Sequence, residues 1–458
     1  MTTASQPKAI APDRIAQLTE REEAAFKTAR TRSLTLTEQA RQHSPGGVPS
    51  SFQSSPPFPI FINRGKGSRV WDADGNEYID FHNGFGVNVV GHGNPKIVEA
   101  VSRRIAEGSH FAQPGEDFIV VAEELANRFG LPQWRFTNSG TESTLDAVRL
   151  ARAFTGREGI MKIEATYHGH HDSLMVSVEP SPEEMGPADA PRAVPQSEGI
   201  PQAIVDLVTV VPFNNLDAAE AGFQRRPNQI ACIIVEPAMM NIGIVIPEPG
   251  YLEGLRDVAH RHGALLVFDE VKTGVTLAPG GASDRFRVTP DIVCLAKAIG
   301  GGLPCGAVGG REDIMALISD GRVSQMGTFN GNALTMAAAR ATLMEILTPM
   351  AYSHFDALGE VLQGGLDQVI KEHDLPFHAI TMGARGGMTY RAERVRNYRD
   401  YLETDKSMAY LSWLFQSNRG VLMAPGAEEN WTVSVQHSEA DAQRFVDNFA
   451  ALAKELRG

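Results

Sequence analysis

Short, unbroken apolar runs alternate with amphipathic stretches through the middle of the chain, and this alternation predicts a parallel sheet layered with helices. Ala264-Leu265-Leu266-Val267-Phe268 has the length and continuous apolar character of a strand covered on both faces, and it ends in acid at Asp269 and Glu270. Ile292-Val293-Cys294-Leu295 reads the same way and leads to Lys297. A third run, Ile230 to Val235, closes on Glu236-Pro237. Between it and the Asp269 run, Tyr251, Leu252, Leu255 and Val258 recur at helical spacing, so the segment reads as strand, helix and strand joined by a right-handed crossover. Glu236, Asp269 and Lys297 then share one sheet edge, at the carboxyl ends of strands where open α/β sheets bind ligands. Gly300-Gly301-Gly302 permits a tight path onward to a further strand at Ala307-Val308-Gly309-Gly310.

The flanks follow other patterns. Residues 11–44 are rich in charge and alanine and read as helical up to the stop at Ser44-Pro45-Gly46-Gly47. After a loop dense in Ser and Pro, Phe61-Ile62 and Val70-Trp71 resemble a meander, with a turn at Asp72-Ala73-Asp74-Gly75-Asn76 before Tyr78. The glycines between Asn83 and Gly93 do not match the spacing of a dinucleotide fingerprint, and His92 reads as a loop histidine. From Met336 to His373 the chain reads as helix, followed by mixed segments and a last amphipathic helix over 439–456. The expected division is a segment at 1–80, a large domain at 81–335 and a small α+β domain at 336–458 that the N-terminal segment joins.

Composition narrows the class. The 458 residues are 42% hydrophobic, with 44 glycines and 27 prolines, as expected of an α/β enzyme with a sizeable core. A formal charge of −13 argues against a nucleic-acid surface, and no apolar run reaches membrane length. The polar start lacks the apolar core of a secretory signal, which makes the cytoplasm the expected compartment. Cys232, Cys294 and Cys305 form no motif and read as structural thiols.

Lysine at a buried sheet end can have its amine made nucleophilic toward an aldehyde. The aldehyde cofactor that suits such a lysine is pyridoxal 5'-phosphate, which works as an electron sink only with an acid on its ring nitrogen, and Asp269 fits that acid. The same pair also fits a solvated loop lysine and a helix cap. Arg135-Phe136-Thr137-Asn138-Ser139-Gly140-Thr141-Glu142 precedes an amphipathic helix with Leu145, Val148, Leu150, Ala151 and Phe154 on or near one face. Ser139, Gly140 and Thr141 there can form a phosphate cup, or a plain N-cap. Tyr167-His168-Gly169-His170-His171-Asp172 has metal-like composition but no metal-ligand spacing, so Tyr167 is better placed as a stacking platform with His168 beside it. Thr328, in Met326-Gly327-Thr328-Phe329-Asn330, is a second phosphate candidate or a helix start.

Taken in order, NSGTES, TYHGHHD, VEP, LVFDEVKTG, LAKAIGGGLPCGAVGG and GTFNGN resemble class III pyridoxal-phosphate aminotransferases, and within them the glutamate-1-semialdehyde aminomutase group. The resemblance runs from about Pro45 almost to the C-terminus. It implies a fold-type I homodimer with active sites at the subunit interface, acting on a small amine or amino acid and a keto acid. It also implies roles: Lys297 as Schiff-base lysine and proton shuttle, Asp269 on the pyridine nitrogen, Tyr167 and Val271 on the two ring faces, Gly140 and Thr141 on the phosphate, and Thr328 reaching the neighbouring subunit's cofactor.

Departures bear on substrate. The aminomutase group carries an arginine after Pro-Gly-Gly-Val that grips the substrate carboxylate, whereas Pro45-Gly46-Gly47-Val48 leads here to Phe52 and Gln53. The expected activity is therefore amine or β/ω-amino acid transamination, with glutamate-1-semialdehyde aminomutation, a catalytically silent relative and a metal hydrolase as alternatives. Arg385, Arg391 and Arg419 are candidates for a substitute carboxylate contact from the small domain but are expected rather as solvated surface residues, Lys272 is unusual after Asp-Glu-Val, and the pocket walls are expected from loops at 50–57, 82–85 and 428–431.

Overall fold

Seven strands form the central sheet of the computed structural model, in the order Gln133–Thr137, Gly306–Gly310, Ile292–Ala296, Leu265–Asp269, Ile230–Val235, Gly159–Ile163 and Val208–Val211. The structure describes residues 9–426 and 431–458, so Glu428 to Asn430 of the third expected wall loop lie outside the described residues. Gly306–Gly310 runs antiparallel to both its neighbours, and the other pairings are parallel. Every residue of Ile230–Val235, Leu265–Asp269 and Ile292–Ala296 is buried, as continuous apolar runs require when both sheet faces are covered.

Helix Tyr251–Arg261 links two neighbouring parallel strands whose register pairs Val235 with Phe268, bringing Glu236 and Asp269 out at the same edge. Helix Gly140–Thr155 packs on the sheet through Thr144, Ala147, Val148 and Ala151. Phe154 does not join that face: it is 37% exposed, with the Arg311 guanidinium 5.7 Å from its ring centroid. A cation over the ring covers there what the core does not.

The charged N-terminal stretch is two helices, Pro12–Ala29 and Thr31–Ala40, rather than one reaching residue 44. The break is at Arg30, which turns inward, fully buried, to donate from Nε to the Tyr78 hydroxyl at 2.8 Å and from Nη2 to the Ser417 carbonyl at 2.8 Å. Ile62–Lys66, Arg69–Asp72 and Glu77–Asp80 form the antiparallel meander, its turn closed by Asp72 accepting from the N–H groups of Asp74 and Asn76. Val421–Leu422 adds to it in parallel from the far end of the chain.

The helix expected over 336–373 is also broken. Ala333–Ala341 runs into a widened turn at Thr342–Ile346, and a new helix begins at Pro349. Proline lacks the N–H to continue a helix but suits a first turn. A three-stranded sheet follows, His378–Met382, Arg385–Thr389 and Trp431–Thr432, and the last helix, Glu439–Arg457, starts at a capping box made by Ser438 and Asp441. Among the described residues no helix is long and apolar enough to cross a membrane.

Candidate active site

The strand ends converge on a cavity of about 420 Å³ that Lys297, Asp269, Glu236, Tyr167 and Gly140 all line. Lys297 follows strand Ile292–Ala296 directly and has φ +51, a left-handed backbone for a residue with a long side chain. Such strain persists only where the surroundings impose it, and it clusters at functional sites.

Asp269 is 4% exposed. Its Oδ2 lies 2.7 Å from Nδ1 of buried His168, and its Oδ1 accepts from the Val271 N–H at 3.0 Å. The other imidazole nitrogen, Nε2, is buried without a hydrogen-bond partner among the described residues. Glu236 accepts from the N–H of Tyr167 at 3.1 Å, the N–H of Met240 at 3.0 Å and Nδ2 of Asn241 at 2.8 Å. Burial raises the Glu236 carboxyl above the usual range, with the Asp269 charge adding to the rise. Burial likewise raises the Tyr167 phenol.

Ser139 is the N-cap of helix Gly140–Thr155, and its hydroxyl accepts from the Glu142 N–H at 3.2 Å. That hydroxyl is thus occupied, while the N–H groups of Gly140 and Thr141 have no partner among the described residues. Two such donors at the positive end of a helix suit a phosphate. A Cβ at Gly140 would come within 2.9 Å of both Val271 methyls, so only glycine leaves the cup open beside that side chain. The histidines of the Tyr167 loop diverge: His168 faces Asp269, His170 is exposed, and burial lowers His171 to about 4. Among the described residues no three acidic, His or Cys side chains gather as a metal site.

Thr328 is not brought to this cavity. It is exposed and lines a separate cavity with Gln325 and Asn330. Gln53 lines a second cavity of about 370 Å³, together with His82 and Phe85. Phe52 borders both cavities, its ring centroid 5.3 Å from that of Tyr167 and 5.8 Å from that of Phe85. Phe85 stands in a left-handed turn in which Asn83, Gly84, Phe85 and Gly86 have φ of 47, 61, 58 and 80°.

The expectation for Arg385 fails. It is fully buried, with Nη1 donating to the Thr432 hydroxyl at 3.2 Å, and it packs so closely on Gly86 that a Cβ there would lie 2.2 Å from the guanidinium. Arg391 pairs with Glu403 at 2.9 Å and Arg419 with Glu22 at 3.0 Å, so both serve ion pairs away from the cavities.

Sequence reasoning missed Asn241, which steadies Glu236, and Lys162. Lys162 is fully buried and donates to the carbonyls of Thr166 at 3.0 Å and Val176 at 2.5 Å, bracketing the loop that carries Tyr167 and His168. Burial lowers its amine to about 7. The available signal was a charged residue inside the apolar strand Gly159–Ile163.

A lysine and a buried carboxylate at the ends of adjacent strands, with a helix N-terminus two strands beyond the lysine lining the same cavity, match the three attachments of pyridoxal 5'-phosphate, and the protein is an enzyme of that cofactor class. More narrowly, the chain belongs to the family described as Aminotransferase class-III, which matches residues 51–406. It is 40% identical over 410 residues to glutamate-1-semialdehyde 2,1-aminomutase 1 of Macrococcus caseolyticus, covering 88% of this chain and 94% of that one. An omega-transaminase from Sphaerobacter thermophilus superposes with a TM-score of 0.88 at 35% identity, over 93% of this chain and 98% of that one. A glutamate-1-semialdehyde-aminomutase from Pseudomonas aeruginosa PAO1, solved in complex with PMP, gives a TM-score of 0.89 at 30% identity, over 98% of this chain and all of its own.

Proposed function

We propose that the protein is a transaminase that moves an amino group from an amine or a β/ω-amino acid to a keto acceptor such as a 2-oxo acid, in two half-reactions with ping-pong kinetics. One observation carries the choice: among the described residues, no arginine lines either cavity. A substrate carboxylate at Gln53 would lack the bidentate, charge-assisted clamp that an arginine provides. Phe52 and Phe85 offer apolar contact instead.

Pyridoxal phosphate, when bound, supplies an electron sink for charge released at the substrate carbon. The chain's residues do the rest. Asp269, held by His168, keeps a proton on the pyridine nitrogen. Tyr167 and Val271 exclude water from the two ring faces, and the N–H groups of Gly140 and Thr141 hold the phosphate. Lys297 would hold the cofactor through Nζ, and that amine, when free, would take a proton from the substrate carbon.

The test is to incubate the holoenzyme with a panel of amines and amino acids plus a keto acceptor, and with glutamate-1-semialdehyde separately. Keto product from the panel, faster than 5-aminolevulinate from the semialdehyde, supports the proposal, and the reverse order defeats it. The aminomutase reading remains the second one, favoured by the 40% identity to an enzyme of that name.

The active unit we propose is a homodimer in which Thr328 reaches the partner's cofactor. Support comes from the surface around Thr328, where Met326 is 86% and Phe329 59% exposed, an apolar pair that water alone covers poorly. Mixing Thr328→Ala with Lys297→Ala protein should restore activity, because a mixed dimer rebuilds one intact site. We also propose that 1–80 and 336–458 form one small domain beside 81–335, as the Val421–Leu422 pairing supports; limited proteolysis tests this.

A further inference from the structure

Lys272 follows Val271 in the turn after the Asp269 strand, and the reaction outlined above gives it no task. It is 8% exposed, lines the cavity with Lys297, and its Nζ donates to the Met240 carbonyl at 3.2 Å. A buried ammonium needs a strong reason to be there.

The order of the strands says what it faces. Across the sheet come the ends of Gln133–Thr137, then Gly306–Gly310, Ile292–Ala296, Leu265–Asp269 and Ile230–Val235. The phosphate cup lies at the first of these, Lys297 and Asp269 at the third and fourth, and Glu236 at the fifth. On the cofactor the ring nitrogen and the aldehyde carbon are opposite each other, while the phosphate arm and the phenolic oxygen flank the aldehyde on opposite sides. With the nitrogen at Asp269, the aldehyde carbon at Lys297 and the phosphate at Gly140, the phenolic edge turns toward the Glu236 side. Grouped around Glu236 in the cavity lining are Tyr167, whose N–H donates to it, Asn241, and Lys272, whose Nζ donates to the Met240 carbonyl; Tyr167 is the residue assigned to a ring face. The Glu236 carboxylate is an acceptor and would repel a phenolate, and the Asn241 amide, one of whose two N–H donors goes to Glu236, carries no charge to balance one. Lys272 is the cationic donor.

We propose that Lys272 is a cofactor-binding residue that donates a charge-assisted hydrogen bond to the phenolic oxygen of pyridoxal phosphate and balances its charge beside Glu236. The inference rests on the cofactor orientation given under Proposed function. Burial pushes the Glu236 carboxyl up and the Lys272 charge opposes that rise, in keeping with an ammonium close to this edge.

The test measures equilibrium affinity of apoprotein for two ligands, pyridoxal 5'-phosphate and its 3-deoxy analogue, which lacks the phenolic oxygen. Wild type, Lys272→Met and Lys272→Gln are compared, with circular dichroism confirming that each variant is folded. Lys272→Met should weaken pyridoxal phosphate by roughly tenfold or more while leaving the analogue within about twofold, and Lys272→Gln should fall between. Equal losses for both ligands, or no loss for either, overturn the proposal. Failure of wild type to bind either ligand would instead overturn the orientation on which it rests.

Discussion

The two cavities that meet at Phe52 are built by opposite means. In the first, Glu236, Asp269 and Lys297 each stand within one position of a strand end in one sheet, so the sheet's register fixes their spacing. The second takes its walls from the loop around Gln53, the left-handed turn at Phe85, and Trp413 with Met423 more than three hundred residues later. Its geometry depends on how distant pieces pack. A scaffold that holds the cofactor rigidly and leaves substrate contacts to loops can change substrate without changing fold. That is why an omega-transaminase and an aminomutase superpose on this chain almost equally well.

The contrast can be broken most sharply at Lys297. If Lys297 has the two roles proposed for it, Lys297→Ala should lower transamination by roughly 10²–10⁴-fold or more, because both roles are lost together. The rate of keto product formation with saturating donor checks this. Next in size is Gln53→Arg on the loop side, which should improve kcat/KM for carboxylate-bearing donors by about tenfold or more and leave cofactor affinity unchanged. Steady-state kinetics with paired donors, with and without a carboxylate, would show it. Phe85→Ala should raise KM for bulky apolar donors by about tenfold, with small donors little affected. A uniform fall across donors would mean that Phe85 serves the fold rather than the pocket.

The smallest effect concerns stability and pH. The unfolded chain keeps the Lys162 proton up to the ordinary lysine range, whereas the folded protein releases it at about 7. Between those values the unfolded state binds the extra proton, so stability rises with pH across that window and is weakest below it. Thermal midpoints of the wild type measured from pH 7 to about 10 should climb relative to those of Lys162→Met. Parallel curves would show that Lys162 does not titrate in this range.

The same contrast explains what the sequence made legible. Continuous apolar runs located the strands of the central sheet, and acid or lysine at a run's end located residues that line one cavity, because sheet register converts sequence position into spatial position. Ser139 shows where this stops: its hydroxyl, read from the sequence as part of a phosphate cup, caps the helix instead, which leaves the backbone N–H groups of Gly140 and Thr141 for the proposed phosphate. Arg385, expected as a solvated residue, lies inside because the missing side chain of Gly86 makes room for it. The breaks at Arg30 and Pro349 depend on long-range packing in the first case and on proline's missing donor in the second. Thr328 stands exposed at a separate cavity, and the partner contact proposed for it is one that a single chain cannot display.

Lys297 also bears on attempts to harden the enzyme against heat. Its left-handed backbone is one that glycine adopts freely, so local conformational energy favours glycine by about 1 kcal/mol at the position where the proposed reaction demands an amine. Selection for heat tolerance alone would therefore erase the reactive group. Stabilising substitutions belong on the helices that cover the sheet, well away from the turn on which the chemistry stands.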